Sequence, residues 1–167
     1  FELDAEVIRL ANEYFSVLTA SPSSINYYVG DGRISLQKTS GNYDLIVMDA
    51  CTSGAIPMHL VTVESLREAF EQLNDQGAIA YHISNHHVDL LPVLNAIADE
   101  LNVDIRLHQS ISNDELHLYP ARWVVLSKNN KLIEAIDLAG DWQLPDSRKI
   151  LWRDEASDIR SVLRIGN

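Results

Sequence analysis

"YDLIVMDACTSGAIP", residues 43–57, decides how the rest of the chain is read. Leu45, Ile46, Val47 and Met48 form an unbroken apolar run. A run without alternation reads as a strand covered on both faces, as in a parallel sheet. Asp49 ends it, and Ala50, Cys51, Thr52, Ser53, Gly54 and Ala55 are all small. Open α/β sheets bind ligands beyond the carboxyl ends of their strands, so Asp49 falls where an acid can do chemistry. The small residues let a ligand approach the backbone, and Pro57 stiffens the far end of the loop. The plainer alternative is that Asp49 only hydrogen-bonds the following turn, and spacing alone leaves both readings open.

Outward from this strand, helical and extended periods alternate. Asp4 caps a predicted helix bearing Val7, Leu10, Ala11, Tyr14 and Leu18. "INYYVG" (25–30) reads as a short strand, and residues 31–42 hold at most a short helix before a turn at Gly41 and Asn42. After the opening strand, Thr62 caps a helix with Leu66, Ala69, Phe70 and Leu73 inward, and "NDQG" (74–77) stops it. "AIAYHIS" (78–84) is a strand, and Asp89 caps the next helix, with Pro92 in its first turn. "VDIRLHQS" (103–110) and "RWVVLSK" (122–128) are late strands. A helix near 131–138 and a last one at 155–164 complete the pattern. The alternation predicts an α/β fold with a mostly parallel sheet, in a single domain spanning 1–167.

Composition narrows the function. With 167 residues, 46% of them hydrophobic, the chain can bury one sizeable core. The formal net charge of −11 argues against a nucleic-acid binder, which needs a basic patch. It is compatible with a cationic ligand, or simply with solubility. No apolar run approaches the ~18 residues of a membrane span, and the acidic start, with Glu2, Asp4 and Glu6, is not a targeting peptide. A soluble, cytoplasmic domain is expected. Cys51 is the sole cysteine, so neither an internal disulfide nor a cysteine metal cluster is expected. The six histidines are scattered, apart from the adjacent pair His86 and His87, and read as surface residues; no metal is expected. Trp123 and Trp152 read as packing residues.

Acids fall at three predicted strand ends. Glu2 and Asp4 close a strand remnant "FEL", Asp31 follows "YYVG", and Asp49 ends "LIVMD". Successive strands ending in acids would build an acidic rim, and a strand-end carboxylate suits a ribose diol because it accepts two hydrogen bonds.

"YYVGDGRISL", "YDLIVMDA", "SGAIPMHLVTVESLREAF", "GAIAYHISN", "DLLPVLNAIADEL" and "YPARWVVLSKN", in that order, resemble successive segments of the spermidine synthase-like proteins. The branch with "HISN" after its fifth strand is the most similar, and the tail "ILWRDEASDIRSVLR" resembles that branch's ending. The resemblance implies a three-layer class I S-adenosylmethionine-dependent methyltransferase fold with an antiparallel late strand. It implies aminopropyl transfer from decarboxylated S-adenosylmethionine to a small-molecule amine, leaving methylthioadenosine. Decarboxylated S-adenosylmethionine is a cosubstrate and methylthioadenosine the product, so no tightly bound cofactor is implied, and the sulfonium leaving group needs no metal.

Site residues carry over position by position. Glu2 matches the residue that holds the ribose hydroxyls. Asp31, between Gly30 and Gly32, matches the one that faces the adenine amino group, and Ala50 borders the same cosubstrate. Asp49 matches the general base, Tyr119 a tyrosine bordering the amine site, and His82 a polar residue near the amine. Apart from the resemblance, His82 reads as an ordinary strand residue with its hydrogen bonds satisfied.

Two departures qualify the resemblance. The family usually carries a second acid in a D-S-S-D arrangement, and here Thr52 takes its place, which weakens attraction for a diammonium substrate. The family's first strand and glycine-rich loop are expected before "FELD", so the fold is expected to be N-terminally incomplete and the chain a fragment. An unpaired sheet edge of that kind is a route to a homodimer. Members of the branch are often fused to a membrane-embedded part, so the native protein could carry one. Two further functions stay open: a methyltransferase using S-adenosylmethionine, raised by Thr52, and a non-catalytic nucleoside-binding or self-associating module, raised by the missing glycine loop.

Overall fold

The computed structural model describes residues 1–50, 57–112 and 117–164. The chain divides into two units, Phe1–Gly41 and Asn42–Asn167. Among the described residues no helix is long and apolar enough to cross a membrane.

In the first unit, α1 (Ala5–Tyr14) begins where Asp4 accepts a hydrogen bond from the Glu6 amide at 2.9 Å. That cap was legible in the sequence, because aspartate before a helical period satisfies an otherwise orphaned N–H. α2 (Ser16–Thr19) is a single turn, and α3 (Gly32–Gln37) is capped by Asp31, which accepts from the Ile34 amide at 3.0 Å. The strand expected at 25–30 shrinks to one parallel bridge between Glu2 and Val29. The Glu2 amide donates to Tyr28 O at 3.0 Å, and the Gly30 amide donates to Glu2 O at 2.9 Å. Pairing stops there because Gly30 has φ of 137°, a turn that side-chain-bearing residues avoid.

The second unit holds a five-stranded sheet: β1 (Tyr43–Met48), β2 (Leu73–His82), β3 (Asp104–Ser110), β4 (Ala121–Ser127) and β5 (Trp142–Gln143), in the order β1-β2-β4-β3-β5. β1 and β2 are parallel, and β4 is antiparallel to both β2 and β3, so β1, β2 and β3 share one direction. β5 runs antiparallel to β3. Three helices, α4 (Val63–Glu71), α5 (Leu91–Leu101) and α6 (Asn130–Ala139), complete the layers. α4 and α5 pack on each other and on β2 and β3, while α6 packs on β3, β4 and β5. Arg106 alternates with buried Ile105 and Leu107 and reaches α6, so α6 takes the face opposite to those two. Its Nε and a terminal nitrogen donate to the two Asp137 carboxylate oxygens at 2.6 and 2.7 Å. That bidentate bond holds the Asp137 carboxyl below the usual carboxylate range. The core is built from Leu66, Ile79, Leu94, Ile97, Val124, Leu126 and Trp152, all under 2% exposed.

Three differences from the sequence reading have local causes. β1 was expected to be covered on both faces, yet Leu45 and Val47 are 54% and 52% exposed while Ile46 is buried. β1 lies at the end of the strand order, so within the sheet it has a paired strand on one side only. "NDQG" does not end the helix but lies within β2, between the pairs Tyr43 with Leu73 and Leu45 with Ala78, where the register shifts. Asn74 donates to Asp44 there at 2.6 Å, and a Cβ on Gly77 would sit 2.8 Å from Tyr43 O. The predicted last helix is only a short 3-10 turn, Ile159–Val162, begun by Asp158, which accepts from the Arg160 amide at 3.0 Å.

Candidate active site

Parallel pairing sets Met48 beside Tyr81, so the next residue on each chain meets at the carboxyl edge. There His82 Nδ1 lies 2.8 Å from Asp49 Oδ1. A carboxylate only accepts, so Nδ1 carries the proton and donates. Antiparallel pairing sets His82 opposite Trp123, and their rings stack with centroids 4.7 Å apart and planes 19° apart. The register continues from Trp123 to His108 and from His108 to Trp142, whose rings lie 5.2 Å apart. Asp49, His82, Trp123, His108 and Trp142 thus form one row across the sheet. Tyr81, pointing to the opposite face, is buried and donates its hydroxyl to Leu60 O at 2.9 Å.

The rest of "HISN" fixes this edge. Ser84 Oγ accepts from the Arg122 amide at 2.8 Å, and the Ile83 amide donates to Arg122 O at 2.9 Å. These bonds tie the start of β4 to the end of β2. Asn85 Oδ1 accepts from the His87 and Val88 amides at 2.8 and 3.0 Å and closes the turn. The Asp49 side chain is 56% exposed and that of His82 27%. Beside them a hollow of about 20 Å³ is lined by Met48, Ala50, Pro57, Leu60, Tyr81 and His82, among others.

The second unit thus brings Asp49, Ala50 and His82 together. Tyr119 is 87% exposed and lies two residues before β4, at the end of the sheet where β2 finishes. Thr52 lies outside the described residues, as does Cys51. Within the first unit, Glu2 and Gly30 are joined by the backbone bridge and Asp31 follows at once. Glu2 Oε1 accepts from the Asp4 amide at 3.0 Å, and Gly32 opens α3 behind its Asp31 cap. Sequence reasoning missed Trp123 as a site residue. Its signal is the strand register, which composition and periodicity do not carry.

The sheet and its helices have a methyltransferase-like α/β fold of the kind seen in spermidine synthases. A probable spermidine synthase from Corynebacterium glutamicum ATCC 13032 superposes with a TM-score of 0.62 at 21% identity, over 93% of this chain and 63% of its own. A spermidine synthase solved in complex with the transition-state analogue AdoDATO gives a TM-score of 0.54 at 14% identity, over 92% of this chain and 51% of its own. In sequence, the chain is 30% identical over 83 residues to a probable polyamine aminopropyl transferase of Bifidobacterium longum (strain NCC 2705). That match covers 50% of this chain and 18% of the relative. No protein-family model matches the chain.

Proposed function

We propose that this chain serves aminopropyl transfer from decarboxylated S-adenosylmethionine to an amine, with Asp49 as the general base. The observation that carries this reading is the Asp49 carboxylate at the carboxyl end of β1, hydrogen-bonded to His82. The aminopropyl transferase relative and the fold shared with a spermidine synthase that binds a transition-state analogue support it.

The residue types suit the chemistry. An alkylamine has a pKa near that of lysine, about 10.4, so at neutral pH it arrives mostly as an ammonium. Asp49 attracts that cation and takes one proton from it, which frees the nitrogen lone pair for attack. The new bond forms between nitrogen and the aminopropyl carbon next to sulfur. The carbon–sulfur bond breaks, and its electron pair returns to sulfur, leaving neutral methylthioadenosine. The proposed roles of Glu2 and Asp31 toward ribose and adenine, with Gly30, Gly32 and Ala50 bordering the cosubstrate, rest on the resemblance, as do those of Tyr119, Thr52 and His82 toward the amine.

The test compares cosubstrates. The gene product carrying this chain is given decarboxylated S-adenosylmethionine with a panel of di- and polyamines, and methylthioadenosine is followed by chromatography. Release that depends on an amine is expected. Preference for S-adenosylmethionine would favour the methyl-transfer reading raised by Thr52, and no turnover with any amine would overturn the proposal.

A further inference from the structure

His82 has a second role available beyond bordering the amine. Its ring is fixed on two sides by contacts that differ in kind. The edge nitrogen Nδ1 donates to Asp49 Oδ1 at 2.8 Å, and the ring face lies on Trp123 at 4.7 Å with only 19° between planes. Trp123 is in turn held in β4 directly opposite both His82 and His108. An imidazole stacked in this way keeps its χ angles, and so keeps its N–H aimed at one carboxylate oxygen. Asp49 needs such help. Its side chain is 56% exposed and it follows the last residue of β1, so the strand fixes its backbone but not its carboxylate plane. With Oδ1 engaged by His82, Oδ2 is the oxygen that the proposed reaction assigns to the nucleophile.

We infer that His82 is a positioning residue, holding the Asp49 carboxylate in the orientation that accepts the proton, with Trp123 as the platform that holds His82. The inference rests on the proposed reaction and deepens it. A group that positions the base acts on the chemical step, whereas a group that binds the amine acts on its affinity.

The experiment measures kcat and the KM for amine in the gene product carrying this chain. His82→Leu removes the donor, and His82→Asn places an amide N–H near the position of Nδ1. Trp123→Phe keeps an aromatic platform, and Trp123→Leu removes it. His82→Leu and Trp123→Leu should each lower kcat by about 10–100-fold with the KM for amine little changed. His82→Asn and Trp123→Phe should recover most of the loss. In nitrogen-15 NMR, the Nδ1-bound proton of His82 should be sharp and hydrogen-bonded in the parent and perturbed in Asp49→Leu, a readout independent of turnover. Were a leucine variant not to fold, His82→Asn and the NMR signal would decide alone. Raised KM with unchanged kcat, a proton found on Nε2 instead of Nδ1, or no rescue by His82→Asn would overturn the inference while leaving the reaction standing. No amine-dependent turnover by the parent would instead overturn the reaction, and the inference with it.

Discussion

Replacing Asp49 with asparagine separates its chemistry from its place in the fold. The amide oxygen of Asp49→Asn can still accept from His82 Nδ1, which lies 2.8 Å from Oδ1. The half-exposed position imposes little cost in folding, within about 0.5 kcal/mol for a surface substitution. The amide has no useful basicity, so the bound ammonium must lose its proton to another acceptor before its nitrogen can attack. General-base contributions run to about 10²–10⁴-fold, or roughly 2.7–5.5 kcal/mol of transition-state stabilisation. Because the Asp49 side chain is 56% exposed, solvent can take over part of the role. The expected loss in kcat is therefore near the lower end, about 10²-fold. The assay is the initial rate of methylthioadenosine formation at saturating amine and cosubstrate, with melting temperatures measured on the same samples. A variant that melts with the parent and keeps more than about a third of its kcat would refute the assignment of Asp49 as base.

Three further outcomes concern stability. Thr62 is buried, caps α4 by accepting from the Ser65 amide at 3.2 Å, and donates to Asp154 at 2.6 Å. Thr62→Ala should cost about 1–2 kcal/mol in denaturant unfolding. A Cβ at Gly77 would lie 2.8 Å from Tyr43 O and 3.0 Å from Leu73 Cβ, so Gly77→Ala should cost about 1–3 kcal/mol. An unchanged melting temperature would show that β1 and β2 yield freely at their register shift. Arg106 holds the Asp137 carboxyl below its ordinary range. Its contribution is then fully present above the unfolded carboxylate value, about 3.9, and is lost as pH falls through the lower folded value. Asp137→Asn should therefore melt below the parent at neutral pH, with the gap closing in acid. A gap independent of pH would contradict the pairing.

Much of the fold was legible because local chemistry and tertiary structure agree. Asp4 and Thr62 sit where helices were expected to begin, and each accepts a hydrogen bond from an amide of its first turn. The apolar runs at 45–48 and 78–81 fall within strands β1 and β2 because no polar residue interrupts them. β5 escaped notice because two residues, Trp142 and Gln143, show no period, and their pairing with His108 and Leu107 is non-local. The exposure of Leu45 and Val47 escaped for a similar reason. An apolar run records a capacity for burial, whereas the strand order decides which flank has a neighbour. In the site, Asp49 and His82 were each singled out from sequence, but their contact depends on parallel register between β1 and β2. Trp123 looked like packing because a tryptophan in a strand usually is, and only its register with His82 shows what it packs against.

The central claim is that Asp49 assists an amine in displacing sulfur from the aminopropyl carbon. It is tested most directly by the mass of the amine recovered after incubation with decarboxylated S-adenosylmethionine. An amine heavier by one aminopropyl group, formed by the parent and about 10²-fold more slowly when Asp49→Asn replaces it, is the predicted result. An unchanged amine, or one that gains only a methyl group when S-adenosylmethionine is supplied, would contradict it.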